Sequence, residues 1–134
     1  MTTIADHIRA LEAYVEHSGA RVVRTSLPES VQGRVFSDLI TLRAGLNPEQ
    51  ELLTLVHELT HWLAHRAVGT QPHCAHGTIF EYEAEAVEEL VMRQLGLPRP
   101  AAGLEEENPT DGLLSASVAR VVWASGRICG ALGI

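Results

Sequence analysis

His57-Glu58-Leu59-Thr60-His61 is the stretch of this chain whose residue types and spacing most directly imply chemistry. Four residues on an α-helix amount to one turn plus about 40°, so two imidazoles at that spacing can converge on one metal ion. Zinc is the ion such a pair suits. The Glu beside the first His lies on the flank of the same face, where it can take a proton from a metal-activated water without being a ligand itself. With 7 His in 134 residues, chance supplies only about 0.04 such motifs per chain.

Catalytic zinc takes three protein ligands and keeps a fourth position for water. A third His six residues after His61 is not available, because that position is Ala67. The acidic stretch Glu81-Tyr82-Glu83-Ala84-Glu85, followed by Glu88 and Glu89, offers the alternatives. On a helix Glu85 and Glu88 each fall within about 40° of Glu81, which leaves three candidates for the third ligand. Glu83 and Glu89 lie off that stripe and are expected on a solvated face. His65 extends the His column by one more turn, and His73 and His76 lie between the two metal-bearing segments.

The elements that must position these groups can be read from periodicity. Ile4, Ile8, Leu11 and Val15 have helical spacing over residues 4–17, and Gly19 ends that helix. Residues 20–25, 31–36 and 39–42 are β-prone and broken by Pro28 and Gly33, which predicts a meander of two or three strands. Asn47-Pro48-Glu49-Gln50 is a helix start, with Asn as cap and Pro at the first helical position; the helix is expected to run to about Ala67. Residues 69–78 have loop composition. A second long helix fits Ile79 to Leu95, an exposed connection fits 99–111, and a last helix fits 113–132. That last helix carries only Arg120 and Arg127 as charges, so it must pack on the core or on a second copy of the chain. The fold class is α+β, in one domain spanning 1–134.

Composition narrows the function. Apolar residues at 46% and charged residues at 20% exclude a disordered or low-complexity chain. A net charge of −7 argues against direct binding of nucleic acid, which needs a basic footprint. No apolar run is long enough for a membrane span and no signal peptide is recognisable, so a cytoplasmic location is expected. Cys74 and Cys129 form no CxxC pair, which suits a reducing compartment.

The HExxH at His57–His61, followed twenty residues later by Glu81-Tyr82-Glu83-Ala84-Glu85, resembles the ImmA/IrrE family of gluzincin metallopeptidases and the related peptidase domain of ArdC-type antirestriction proteins. The similarity covers nearly the whole chain and is strongest from Leu52 to Leu97. It implies a zincin-like fold and one Zn²⁺ per chain held by His57, His61 and Glu81, with Glu58 as general base. It implies that Glu85 orients the first His, although many members carry Asn or Asp there. It also implies a protein or peptide substrate, such as a helix-turn-helix repressor of the Xre type. His73, His76 and Tyr82 are candidates by position for oxyanion or substrate contacts, and Cys74 for a fourth ligand of a latent site. Two rival functions are a metal-stabilised interaction module, dimeric through the C-terminal helix, and an antirestriction accessory protein.

Overall fold

The computed structural model describes residues 1–65, 79–97 and 115–134. Helix α1, Ile4–His17, opens on a capping box in which the Thr3 side chain accepts from the Asp6 amide and the Asp6 carboxylate accepts from the Thr3 amide. Its apolar stripe, Ile8, Leu11 and Val15, is buried as the spacing predicts. Three strands follow: β1, Arg21–Thr25, β2, Gly33–Phe36, and β3, Leu39–Arg43.

Their order in the sheet is β1-β3-β2, with β1 parallel to β3 and β2 antiparallel to it. The expected meander is therefore replaced by a mixed sheet. The reason lies in β3, whose Ile40, Thr41 and Leu42 are all buried. A strand with two covered faces is best placed centrally, where it has ladder partners on both edges. The connection from β1 to β2 is held against β3 by the Arg43 side chain, which donates to the carbonyls of Val31 and Pro28.

Helix α2, Pro48–Thr60, begins as the sequence predicts, with the Asn47 side chain accepting from the Gln50 amide at 2.9 Å. Arg24 of β1 pairs with both Glu12 of α1 and Glu51 of α2, tying the sheet to two helices. The helix does not stay α-helical to residue 67. From His61 to His65 it widens into a π-helical turn. At the junction the buried Thr60 hydroxyl donates to the Val56 carbonyl at 2.8 Å, a bond that commonly accompanies bending. Trp62 Nε1 donates to Asp38 in the β2–β3 turn at 3.1 Å, bracing the π turn on the sheet. Single π turns of this kind occur often at functional sites.

Helix α3, Ile79–Gln94, lies between α2 and helix α4, Ser115–Leu132. The core is aliphatic apart from Trp62: Leu11 and Val15 from α1, Ile40 and Leu42 from β3, Leu52, Leu55 and Leu59 from α2, Val87 and Val91 from α3, and Ala124 and Ile128 from α4. Outward, α4 leaves Val118, Val122 and Trp123 exposed. Among the described residues no helix is long and apolar enough to cross a membrane.

Candidate metal centre

α2 and the π turn carry the two histidines of the motif, and α3 lays its acidic residues across them. His57 Nε2 and His61 Nε2 stand 3.2 Å apart. Each faces a different oxygen of Glu81, His57 Nε2 at 3.2 Å from Oε2 and His61 Nε2 at 3.2 Å from Oε1. These three residues could hold a metal ion. A tetrahedral zinc with bonds of about 2.0–2.1 Å sets its ligand atoms about 3.3 Å apart, so the two nitrogens have fitting separation and two imidazoles with a carboxylate are a fitting donor set.

Charge follows from this packing. Burial opposes ionisation of Glu81, but the imidazoles of His57 and His61 beside it outweigh it and hold the carboxyl well below the usual carboxylate range. Burial likewise disfavours a charged His57, yet Glu81 and Glu88 prevail and push its pKa up to about 11. Without metal, His57 therefore keeps a proton that a metal ion must displace, so affinity rises with pH.

Glu58 is 8% exposed and lines a cavity of about 270 Å³ together with His57, Glu88, Leu53, Thr54 and residues 30–33. Burial pushes its carboxyl up to about 7, against the pull of His57 and with the help of the charges on Glu81 and Glu88. The cavity wall depends on Gly33. A Cβ there would meet Thr54 Cγ2 at 2.7 Å and Glu58 Cγ at 3.0 Å, so only glycine lets β2 come this close to the helix that carries the motif.

The outer nitrogens of the two histidines end in carboxylates, and neither carboxylate was assigned that part from sequence. It is Glu88 that accepts from His57 Nδ1–H, the position the resemblance gives to Glu85. Seven residues bring a helix back to within about 20° of its starting face, against about 40° for four, so Glu81 and Glu88 grip the two sides of one imidazole. Glu85 is half-buried on the same helix.

His61 Nδ1 stands 2.7 Å from His65 Nδ1, and His65 Nε2 is 2.8 Å from Glu83 Oε1. Arg120 Nε and Nη2 donate to the two oxygens of Glu83, each at 2.9 Å, and the Ser117 hydroxyl donates to it as well. Phe80 stacks on the His65 ring at 4.5 Å. Burial pushes His65 down to about 4, and it also opposes the charge on Glu83, where Arg120, Ser117 and His65 win and keep the carboxyl ionised. Glu83 is 1% exposed, which overturns its expected place on a solvated face. A helical wheel allots one buried stripe to one neighbour, whereas α3 is covered from two sides. One signal could have revealed the pairing: Arg120, one of only two charges on the last helix, calls for an acidic partner if its face is covered. The Glu89 side chain is 44% exposed and pairs with Arg93, as expected.

Tyr82 is half-buried beside Glu81 on α3. His73, His76 and Cys74 lie outside the described residues. Compared with protein-family models, with curated proteins and with solved structures, the chain finds no match.

Proposed function

We propose that this protein is a zinc-dependent peptidase whose metal is held by His57, His61 and Glu81 and whose general base is Glu58. The single observation that carries this reading is the setting of Glu58: buried, raised to about 7, beside the His57–His61–Glu81 group and open to a cavity. A metal that only braces a fold has no use for a proton acceptor at its side, whereas hydrolysis near neutral pH needs one with such a pKa.

A zinc ion bound here supplies Lewis acidity toward a scissile carbonyl and lowers the pKa of a water molecule. Glu58 would accept a proton from the attacking water and return it to the amine that leaves. Glu88 holds the His57 ring in place through Nδ1. Among the described strands β2 lies at an edge of the sheet, and the segment leading into it, residues 30–33, walls the cavity. An extended peptide pairing with that edge would pass His57 and Glu58, which favours a protein substrate bound by strand addition. The repressor substrate implied by the family resemblance is compatible with this mode of binding.

The test is cleavage of an unbiased peptide library by the zinc-loaded chain and by Glu58→Gln. The variant should keep its zinc and lose cleavage by about 10²–10⁴-fold. Undiminished cleavage would remove Glu58 from the mechanism, and a zinc-loaded wild-type chain that cuts nothing would favour the interaction-module reading.

A further inference from the structure

The cluster formed by His65, Glu83, Ser117 and Arg120 has no part in the chemistry above. None of its members lines the cavity, and its inner end is sealed: His65 is 0% exposed and Glu83 1%. Its direction can be deduced from one end. A carboxylate accepts hydrogen bonds and cannot donate them. Glu83, held by both nitrogens of the Arg120 fork, therefore requires the proton of His65 on Nε2, 2.8 Å away. With Nε2 turned to Glu83 as donor, His65 Nδ1 is placed to accept. The atom 2.7 Å from it, His61 Nδ1, is placed to donate. A metal ion on His61 Nε2, the atom that faces His57 and Glu81, calls for that same arrangement, because the one proton of the ring then sits on Nδ1.

We propose that His65, Glu83 and Arg120 are positioning residues of the metal centre: a buried relay that holds His61 in the tautomer able to bind metal and makes helix α4 part of that centre. The relay rests on the metal-site half of the proposed function and is independent of peptide hydrolysis. His65 is not itself a ligand, since both of its nitrogens are engaged, one by His61 and one by Glu83. The two ligand histidines thus differ in their support. His57 reaches its carboxylate directly on α3, whereas His61 reaches one through a second imidazole, and that carboxylate is anchored from α4 by Arg120. Outer partners of metal-binding histidines raise ligand basicity and fix ring orientation, and their loss typically costs about 10–100-fold in metal affinity.

The experiment is competitive zinc titration of the full chain, stripped with chelator, against a chromophoric chelator, with melting temperature recorded for each variant. His65→Gln keeps the order of the relay, because its amide oxygen can accept from His61 and its amide nitrogen can donate to Glu83. His65→Leu breaks the relay while leaving Glu83 its bonds from Arg120 and Ser117. Affinity should fall about 10–100-fold in His65→Leu and stay within about threefold of wild type in His65→Gln. Arg120→Gln should weaken zinc several-fold from outside the centre. Ring ¹⁵N spectra of the metal-free wild type should place the His61 proton on Nδ1, and His65→Leu should show a mixture. Equal affinity in wild type and His65→Leu, or equal losses in His65→Gln and His65→Leu, would overturn the relay. Should His65→Leu fail to fold, unchanged affinity in Arg120→Gln or a His61 proton on Nε2 in the wild type would do so. A wild-type chain with no zinc affinity would instead overturn the metal site. Zinc binding without cleavage would leave the relay standing and remove the peptidase.

Discussion

The two faces of α3 carry glutamates of the same type, two residues apart, to opposite ends. Glu81 faces α2, is half-buried and is held by two histidines. Glu83 faces α4, is sealed from solvent and is held by an arginine fork, a serine and a histidine. Glu81 sits where a metal can replace the proton that now neutralises it. Glu83 has its charge matched permanently by Arg120 and can serve only as support. Identical side chains are set up as candidate ligand or as strut according to which helix covers them.

The difference can be broken with paired substitutions. Glu83→Ala leaves Arg120 without its buried partner and should cost about 3–5 kcal/mol of stability, read as a lower melting temperature with or without zinc. Glu81→Ala should lower zinc affinity by more than the roughly 100-fold upper range for losing an outer partner, with a smaller change in the melting temperature of the metal-free chain. Matching profiles for the two variants would erase the distinction between ligand and strut.

Glu58 sharpens the comparison through pH. Its folded pKa of about 7 exceeds the ordinary 4.5, so between those values the folded chain keeps a proton that the unfolded chain has released. That contribution is complete below about pH 4.5 and is lost as pH rises through 7. Gln does not titrate. In metal-free protein Glu58→Gln should therefore gain on wild type as pH rises, by up to about 3 kcal/mol at pH 8. A difference independent of pH would mean that Glu58 is an ordinary carboxylate. Bound zinc should shrink the gain, because the cation favours the ionised form.

Two smaller effects follow. Gly33→Ala should cost about 1–3 kcal/mol, since either β2 or Glu58 must move, and it should impair cleavage by displacing the base. Unaltered cleavage would show that the cavity wall is compliant. Glu89→Ala, on an exposed pair with Arg93, should change stability by less than about 0.5 kcal/mol. A larger loss would mean that the outer face of α3 is covered in solution.

Local features were legible in advance. The capped start at Asn47 and the limits of α1 and α3 agree with their periodicity to within a residue or so. The convergence of His57 with His61 was legible too, because i,i+4 geometry belongs to a single helix. The sheet was legible in its strands but not in their order. Strand propensity is a property of a few residues, whereas the central place of β3 depends on both of its faces being covered. The π turn was not legible, because its braces come from Asp38 and Glu83, which are distant in sequence.

The sequence by itself determined the chemical repertoire: two imidazoles on one helical face, a carboxylate beside the first, and a supply of glutamates on a later helix. Tertiary structure decided which glutamate does what. Glu81 faces the Nε2 atoms of two rings, Glu88 takes the outer nitrogen of His57, and Glu83 anchors the relay behind His61. The physical reason is that a carboxylate's role is set by its partners and by the loss of water around it. Both arise only when α2, α3 and α4, separated along the chain, are packed together.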